Sequence, residues 1–323
     1  MPIAVVGTTF VDVKGFPFDN YIPAGRNAGN VEFVHGGVGR NVAEDIANLE
    51  LRPIYVSMVD ESAQGTDVIE KLKNHKVNTD YIMRTKNGMG IWLAVFDETG
   101  DVAGAISKRP EMGPLASLID EKGDEIFASC DSIVLEMDLD KEIVKSVFKF
   151  AEKYRKKVYA VVANLSIASE RRDFIKKTDC FICNEQEAGI LFLDDFESKD
   201  VEKLPSLLYE KITAAEIPSM VVTLGSKGAV YASKNGETGL CPANKVCVRD
   251  TTGAGDAFCA GVSAGLTYGK NLKEAVEIGT RLASAVITVD ENVCPRYMPQ
   301  EFGLNVNYNK EMPSFYGEDD ILK

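Results

Sequence analysis

From Ser132 onward the chain repeats one unit, and that repeat limits its fold more than any other feature. A short run that is apolar throughout is joined by a turn to a stretch with apolar residues at helical spacing. Ser132 to Leu135 leads to a helix from about Asp140 to Tyr154, and Lys157 to Val162 to one near Glu170. Asp179 to Cys183 leads to a helix starting near Glu185, and a helix over residues 200–215 precedes the run Ser219 to Leu224. Two long helices follow, from about Ala254 to Leu266 and from Leu272 to Val289. A run without polar alternation is a strand covered on both faces, and neighbouring parallel strands need a crossover that a helix supplies. The expectation is an α/β protein with a mainly parallel sheet between two helical layers. The N-terminal part joins this scheme through a strand at Ile3–Gly7, another near Val31–Val34, a helix lined by Val42, Ala43, Ile46, Ala47 and Leu49, and a strand at Pro53–Met58.

Two regions break the pattern. Residues 10–35 and the hairpin within 89–108 (Ile91–Phe96, the turn DETGD, Val102–Ser107) read as half-exposed strands without crossover helices. Together they predict a small sheet inserted in one domain spanning 1–323, acting as a lid over a site or as a plain edge extension. The acidic tail Tyr316–Lys323 is expected to be mobile.

Composition excludes some functions. The net charge is −13, from 36 basic and 49 acidic residues, and this disfavours nonspecific binding to nucleic acid or anionic membranes. No apolar run reaches the roughly 18–20 residues of a membrane span. The start, MPIAVVGTTFVDV, lacks a basic leader, so a cytoplasmic protein is expected. Seven cysteines lie mostly in apolar runs; Cys180 and Cys183 form a CxxC that reads as a buried strand, with redox or metal work as the alternative.

Three glycine segments carry chemistry or imitate it. Gly265–Asn271 looks like a P-loop, but it follows a helix, has three residues between its glycines and lacks the Ser or Thr for magnesium, so that reading is rejected. His35–Asn41, HGGVGRN, opens a helix after a strand; it lacks the GxGxxG spacing of a dinucleotide fingerprint, which disfavours an oxidoreductase. Its paired glycines allow close approach of a ligand or make a tight turn, and Asn41 can donate to and accept from hydroxyls. Asp250–Phe258, DTTGAGDAF, places Gly253, Ala254 and Gly255 at a helix start, where free amides suit an anion. Asp256 in the first turn can take a proton from a hydroxyl attacking a phosphate, or can cap the helix. Asn184–Glu187, NEQE, and Val222–Gly228, VTLGSKG, sit at strand ends, the first offering Glu187 to magnesium and the second a loop for nucleotide phosphates; a capped helix and a simple turn are the alternatives.

These motifs stand in family order: Asp12, then Gly36, Gly37 and Asn41, then Asn184 and Glu187, then Thr223–Gly228, then Asp250–Asp256. Over nearly its whole length the chain resembles the ribokinase-like (PfkB) carbohydrate kinases, whose fold is a three-layer α/β/α with a central mainly parallel sheet and a small β-sheet lid. The resemblance implies ATP-dependent phosphorylation of a primary hydroxyl, with Asp256 as catalytic base and the amides of Gly253, Ala254, Gly255 and Asp256 as anion hole. It implies that Asp12, Gly36, Gly37, Asn41 and Glu136 contact the substrate, that Asn184 and Glu187 organise Mg²⁺ and phosphate, and that Thr223, Gly225, Lys227 and the segment Ala283–Val286 border ATP. Asp250 and Thr252 match positions that bind a monovalent cation such as K⁺ in many relatives. A homodimer through the lid also follows from the resemblance. One departure is the run VVANLS near residue 163, which keeps Asn164 but lacks the acid and proline common in relatives.

The segment GGVGRN resembles the pseudouridine kinase branch, which makes pseudouridine the leading substrate and a free sugar such as ribose or fructose the alternative. A silent sugar- or nucleotide-binding regulator is the competing class. Arg40 is read as stabilising its loop, approaching the substrate, or lying exposed at the helix start; Trp92 is read as covering the ligand or packing in its hairpin.

Overall fold

The structure, a computed structural model, describes residues 2–306. The acidic tail singled out in the sequence lies outside the described residues.

Strands β1 (Ile3–Val6), β2 (Phe10–Pro17) and β3 (Gly29–Gly36) lead into helix α1 (Val38–Asn48). There follow β4 (Ile54–Asp60), α2 (Ala63–Asn74), β5 (Ile82–Thr85), β6 (Gly90–Phe96), β7 (Val102–Lys108) and α3 (Gly113–Ser129). The repeating units are β8 (Ser132–Glu136) with α4 (Lys141–Tyr154), β9 (Lys157–Val161) with α5 (Leu165–Glu170) and α6 (Arg172–Ile175), and β10 (Cys180–Asn184) with α7 (Glu185–Phe192). The chain continues through α8 (Leu204–Ala214), β11 (Ser219–Thr223), the hairpin β12 (Ala229–Ser233) and β13 (Thr238–Cys241), and closes with α9 (Ala254–Thr267) and α10 (Leu272–Val286).

Among the described residues, nine strands form the central sheet in the order β13-β12-β11-β10-β9-β8-β1-β4-β5. All neighbours pair in parallel except β11 with β12 and β12 with β13. Its inner strands, such as β1, β4 and β8, are buried on both faces, which is why they lack polar alternation. In β1, Ala4 and Val6 join the core under α3, α4 and α8, while Ile3 and Val5 join the core under α1, α9 and α10. Each of the Val and Ile side chains among these contributes about 1.5–3 kcal/mol when fully buried. α4 shows how the helices dock: Ile143, Val144, Val147, Phe148 and Ala151 recur at three- and four-residue steps and are buried together.

The same geometry settles the CxxC. Cys180 faces one core and Cys183 the other, because residues three apart on a strand point to opposite sides of the sheet. Both are buried and unbridged, so the strand reading stands. The rejected P-loop is the turn between two helices, where Asn271 caps α10 in a capping box with Glu274.

A second sheet has the order β3-β2-β6-β7. Its register separates two faces. Asp12 pairs with Trp92 and Trp92 with Ser107, a row that faces a cleft; the neighbouring row of Phe33, Val13, Leu93 and Ile106 lies on the opposite face, where Phe33, Leu93 and Ile106 are exposed. The parallel strands β1, β8, β9, β10 and β11 end on one side of the molecule. The chain runs from β1 outward to β4 and β5 and later returns to β8, so ligands are expected between the ends of β1 and β8.

Candidate active site

Where that reversal occurs, the small sheet overhangs the strand ends and encloses a cleft of about 330 Å³. Asp12, Trp92 and Ser107 line it from the small sheet; Thr8, Glu136, Asp138, Asn164, Gly37, Asn41 and Asp256 line it from the main body. The structure thus brings Asp12, Gly37, Asn41, Glu136 and Asp256, all singled out from sequence, to one cavity.

Asp256 sits in the first turn of α9 and does not cap it: no side chain caps this helix. Its Oδ2 instead accepts a hydrogen bond of 2.7 Å from Asn41 Nδ2. Burial pushes the Asp256 carboxyl up to about 6, although the Asn41 bond and the Arg40 charge pull it down. It is therefore largely ionised at neutral pH, yet basic enough to accept a proton. The amide oxygen of Asn41, Oδ1, is buried without a hydrogen-bond partner among the described residues, an acceptor beside the carboxylate.

The turn before α9 is held from both ends. Asp250 Oδ1 accepts from the Thr252 backbone N–H and hydroxyl at 2.9 and 2.8 Å. Gly253 adopts φ 80°, and an added Cβ would lie 2.0 Å from the Asn292 carbonyl oxygen. Only glycine fits there. Ala254 opens the helix and Gly255 follows with nothing within 4 Å of where its Cβ would stand, so the face of the turn is open.

The paired glycines of HGGVGRN have separate duties. A Cβ on Gly36 would lie 2.6 Å from the Asp12 carboxylate, so this glycine makes room for the acid. Gly37 has φ 95° and packs on the Thr8 carbonyl, turning the chain into α1. Burial raises the Asp12 carboxyl above its ordinary value, against the charges of Lys14 and Arg40. Arg40 corrects the exposed reading: it is completely buried, paired with Glu44 at 2.7 Å. A helix-start pattern in sequence cannot show that a segment some 250 residues later packs over it.

Glu136 is buried, and burial pushes its carboxyl to about 7. Its oxygens already accept from the Thr8 N–H at 2.7 Å, the Thr8 hydroxyl at 2.9 Å and the Gly39 N–H at 3.2 Å, so it ties β8 to the loop after β1 and to α1. Asp138, Arg109 and Asn292 escaped the sequence reading. Asp138 accepts from the Ala163 N–H at 2.8 Å, faces Arg109 at 3.8 Å, and lines the cleft beside Asn164. An acid just past a parallel strand was the available signal.

On the neighbouring strand ends, Asn184 and Glu187 form a capping box on α7, with 2.8 Å bonds in both directions. Burial pushes the Glu187 carboxyl to about 7, with the Asn184 N–H pulling it down and Asp138 pushing it up. Thr223 pairs with Asn184 across β10 and β11, and the turn after it has Gly225 at φ 56° and Gly228 at φ 104°. Lys227 leans on Glu185 at 3.2 Å, and Ala283 lies partly buried on α10.

Residues 2–292 match the model of the pfkB family carbohydrate kinases. The chain belongs to that family. It is 34% identical over 292 residues to a guanosine-inosine kinase of Exiguobacterium acetylicum, covering 90% of this chain and 95% of that protein. It is 23% identical over 290 residues to a pseudouridine kinase of Escherichia coli, covering 89% and 91%. A ribokinase of Arabidopsis thaliana, solved with ribose and ATP, shares the fold at a TM-score of 0.79, with 20% identity over 93% of this chain and 98% of that one. As a pfkB carbohydrate kinase, the chain is an ATP-dependent phosphotransferase acting on a sugar or nucleoside alcohol.

Proposed function

We propose that this pfkB kinase transfers the γ-phosphoryl group of ATP to the primary hydroxyl of a ribonucleoside. The observation that supports it most is the ionisable Asp256, held by Asn41 at the foot of a cleft and next to an open glycine turn. In this reading the substrate hydroxyl lies against Asp256, which takes its proton as the oxygen bonds to phosphorus and ADP leaves. The amides of Gly253–Asp256 stabilise charge on the phosphoryl oxygens, and Asp12 and Asn41 orient the sugar hydroxyls. Lid action by the small sheet, with Trp92 over the base, excludes water from the cleft.

Asn184 and Glu187 fit a role toward Mg²⁺. Glu187 is a hard oxygen donor whose charge, set near Asp138, a divalent cation would stabilise, and Mg²⁺ is commonly bound through one or two carboxylates together with phosphates. When bound with ATP, the ion supplies charge neutralisation on the phosphates. Thr223, Gly225, Lys227 and Ala283 border the nucleotide in this reading. Asp250 has one oxygen on Thr252 and the other 3.8 Å from the Lys14 ammonium, and Asp250 and Thr252 are the residues that would hold a K⁺ ion in this reading.

A 6-oxopurine nucleoside is the first substrate to test, on the 34% likeness to a guanosine-inosine kinase. Pseudouridine is the second reading, resting on GGVGRN; Arg40 gives it no direct support, because its guanidinium is committed inside the protein. ADP release with Mg-ATP across guanosine, inosine, pseudouridine, uridine, ribose and fructose decides among them. Turnover on guanosine and inosine, lost when Mg²⁺ is omitted, is expected. Turnover on free sugars alone overturns the nucleoside reading, and ATP binding without any turnover favours the regulator.

The exposed row Phe33, Leu93 and Ile106 supports a dimer in which two small sheets meet. Sedimentation velocity is expected to show a dimer for the wild type and a monomer for Ile106→Lys; a monomeric wild type overturns this.

A further inference from the structure

The Arg40 guanidinium joins three segments that are distant in sequence. Nη1 donates to Glu44 Oε2 at 2.7 Å within α1. Nη2 donates to the His35 carbonyl at the end of β3 and to Asn292 Oδ1 at 3.1 Å. Asn292 closes the loop, since its Nδ2 donates to the same His35 carbonyl at 2.7 Å. The backbone carbonyl of Asn292 in turn fills the space where a Cβ on Gly253 would stand. A continuous packed path therefore runs from the root of the small sheet, through Arg40 and Asn292, to the glycine turn before Asp256.

We propose that Arg40 is a positioning residue: with Asn292 it ties the root of the small sheet to the glycine turn at Gly253, so that the two are set together. A fully buried arginine survives only when its donors and charge are matched, and here Glu44 and two oxygens do so. Burial works to raise the Glu44 carboxyl, but Arg40, Lys71 and His75 together hold it below its ordinary value, so the partner stays charged. The planar fork is needed because one guanidinium spans β3, α1 and the 292 loop; a lysine ammonium carries the charge without that geometry. The consequence for rate rests on the kinase reading, whereas the mechanical link does not.

Hydrogen exchange followed by mass spectrometry on Arg40→Lys and Asn292→Ala tests the link without any substrate. Asn292→Ala keeps the Arg40–Glu44 pair, so it reports the link even where Arg40→Lys does not fold. Amides of residues 253–258 are expected to exchange about 10-fold faster in both variants, together with those of residues 35–38. Exchange that rises only in β3 and α1, with wild-type rates at 253–258, overturns the proposal. On a nucleoside that the wild type phosphorylates, kcat is expected to fall about 10-fold or more while both KM values stay within about threefold. Wild-type kcat in both folded variants also overturns it. A wild type that phosphorylates none of the panel removes the nucleoside reading, and the exchange result still decides the link.

Discussion

The Asp256→Asn protein folds, binds ATP, and loses about 10²- to 10⁴-fold in kcat on an accepted nucleoside. The substitution preserves shape and an oxygen for the Asn41 Nδ2 bond, and it removes only the ability to take a proton. Its stability is informative as well. The folded Asp256 carboxyl titrates near 6, above its unfolded value. The native state therefore binds more protons than the unfolded state between about pH 4 and 6, and stability falls as pH rises through that window. Ionised Asp256 then weakens the fold by on the order of 1–3 kcal/mol, less whatever the cleft-facing edge recovers from water. At pH 8 the variant should melt at or above the wild-type temperature while turning over slowly. A residue needed only for structure would show the reverse. In the wild type, kcat/KM should rise with pH through about 6 and then level, since the base works only when deprotonated. A flat profile between pH 5 and 8, or near-normal turnover in the variant, removes Asp256 from the base role.

What could be read in advance follows from what each signal depends on. The main sheet was legible because two-sided burial makes strands such as Ile133–Leu135 apolar throughout, a local consequence of a global arrangement. The helix start at Gly253–Asp256 was legible because glycines before a helical apolar pattern mark such a start whatever surrounds it. The hairpin β12–β13 went unread although Asn235–Gly236 marks its turn. Arg40 could not be placed: the same pattern describes an exposed helix start and a buried one, and only the loop carrying Asn292 distinguishes them. Nor could sequence choose between the two readings of NEQE. The capping box is present, and the carboxylate that completes it is also the one offered to magnesium.

Gly253→Ala and Gly255→Ala should separate architecture from chemistry in the turn proposed as the anion hole. At Gly253 an alanine meets two obstacles. Its φ of 80° is strained for any side chain, at about 1–3 kcal/mol, and its Cβ would lie 2.0 Å from the Asn292 carbonyl. The turn must shift, so this variant should lose both melting temperature and about 10²-fold or more in kcat. At Gly255 the backbone is helical and the Cβ position is empty to 4 Å, so alanine should be neutral or stabilising by up to about 1 kcal/mol. In the proposed mechanism its methyl group would nevertheless stand on the open face that the phosphoryl group needs. A stable Gly255→Ala protein with kcat reduced about 10- to 100-fold would therefore report on the phosphate itself, because no folding defect is available to explain the loss. Full activity in that variant would mean that the transferring group does not sit over Gly255, and the anion hole would then have to lie on the amides of Gly253 and Ala254 alone.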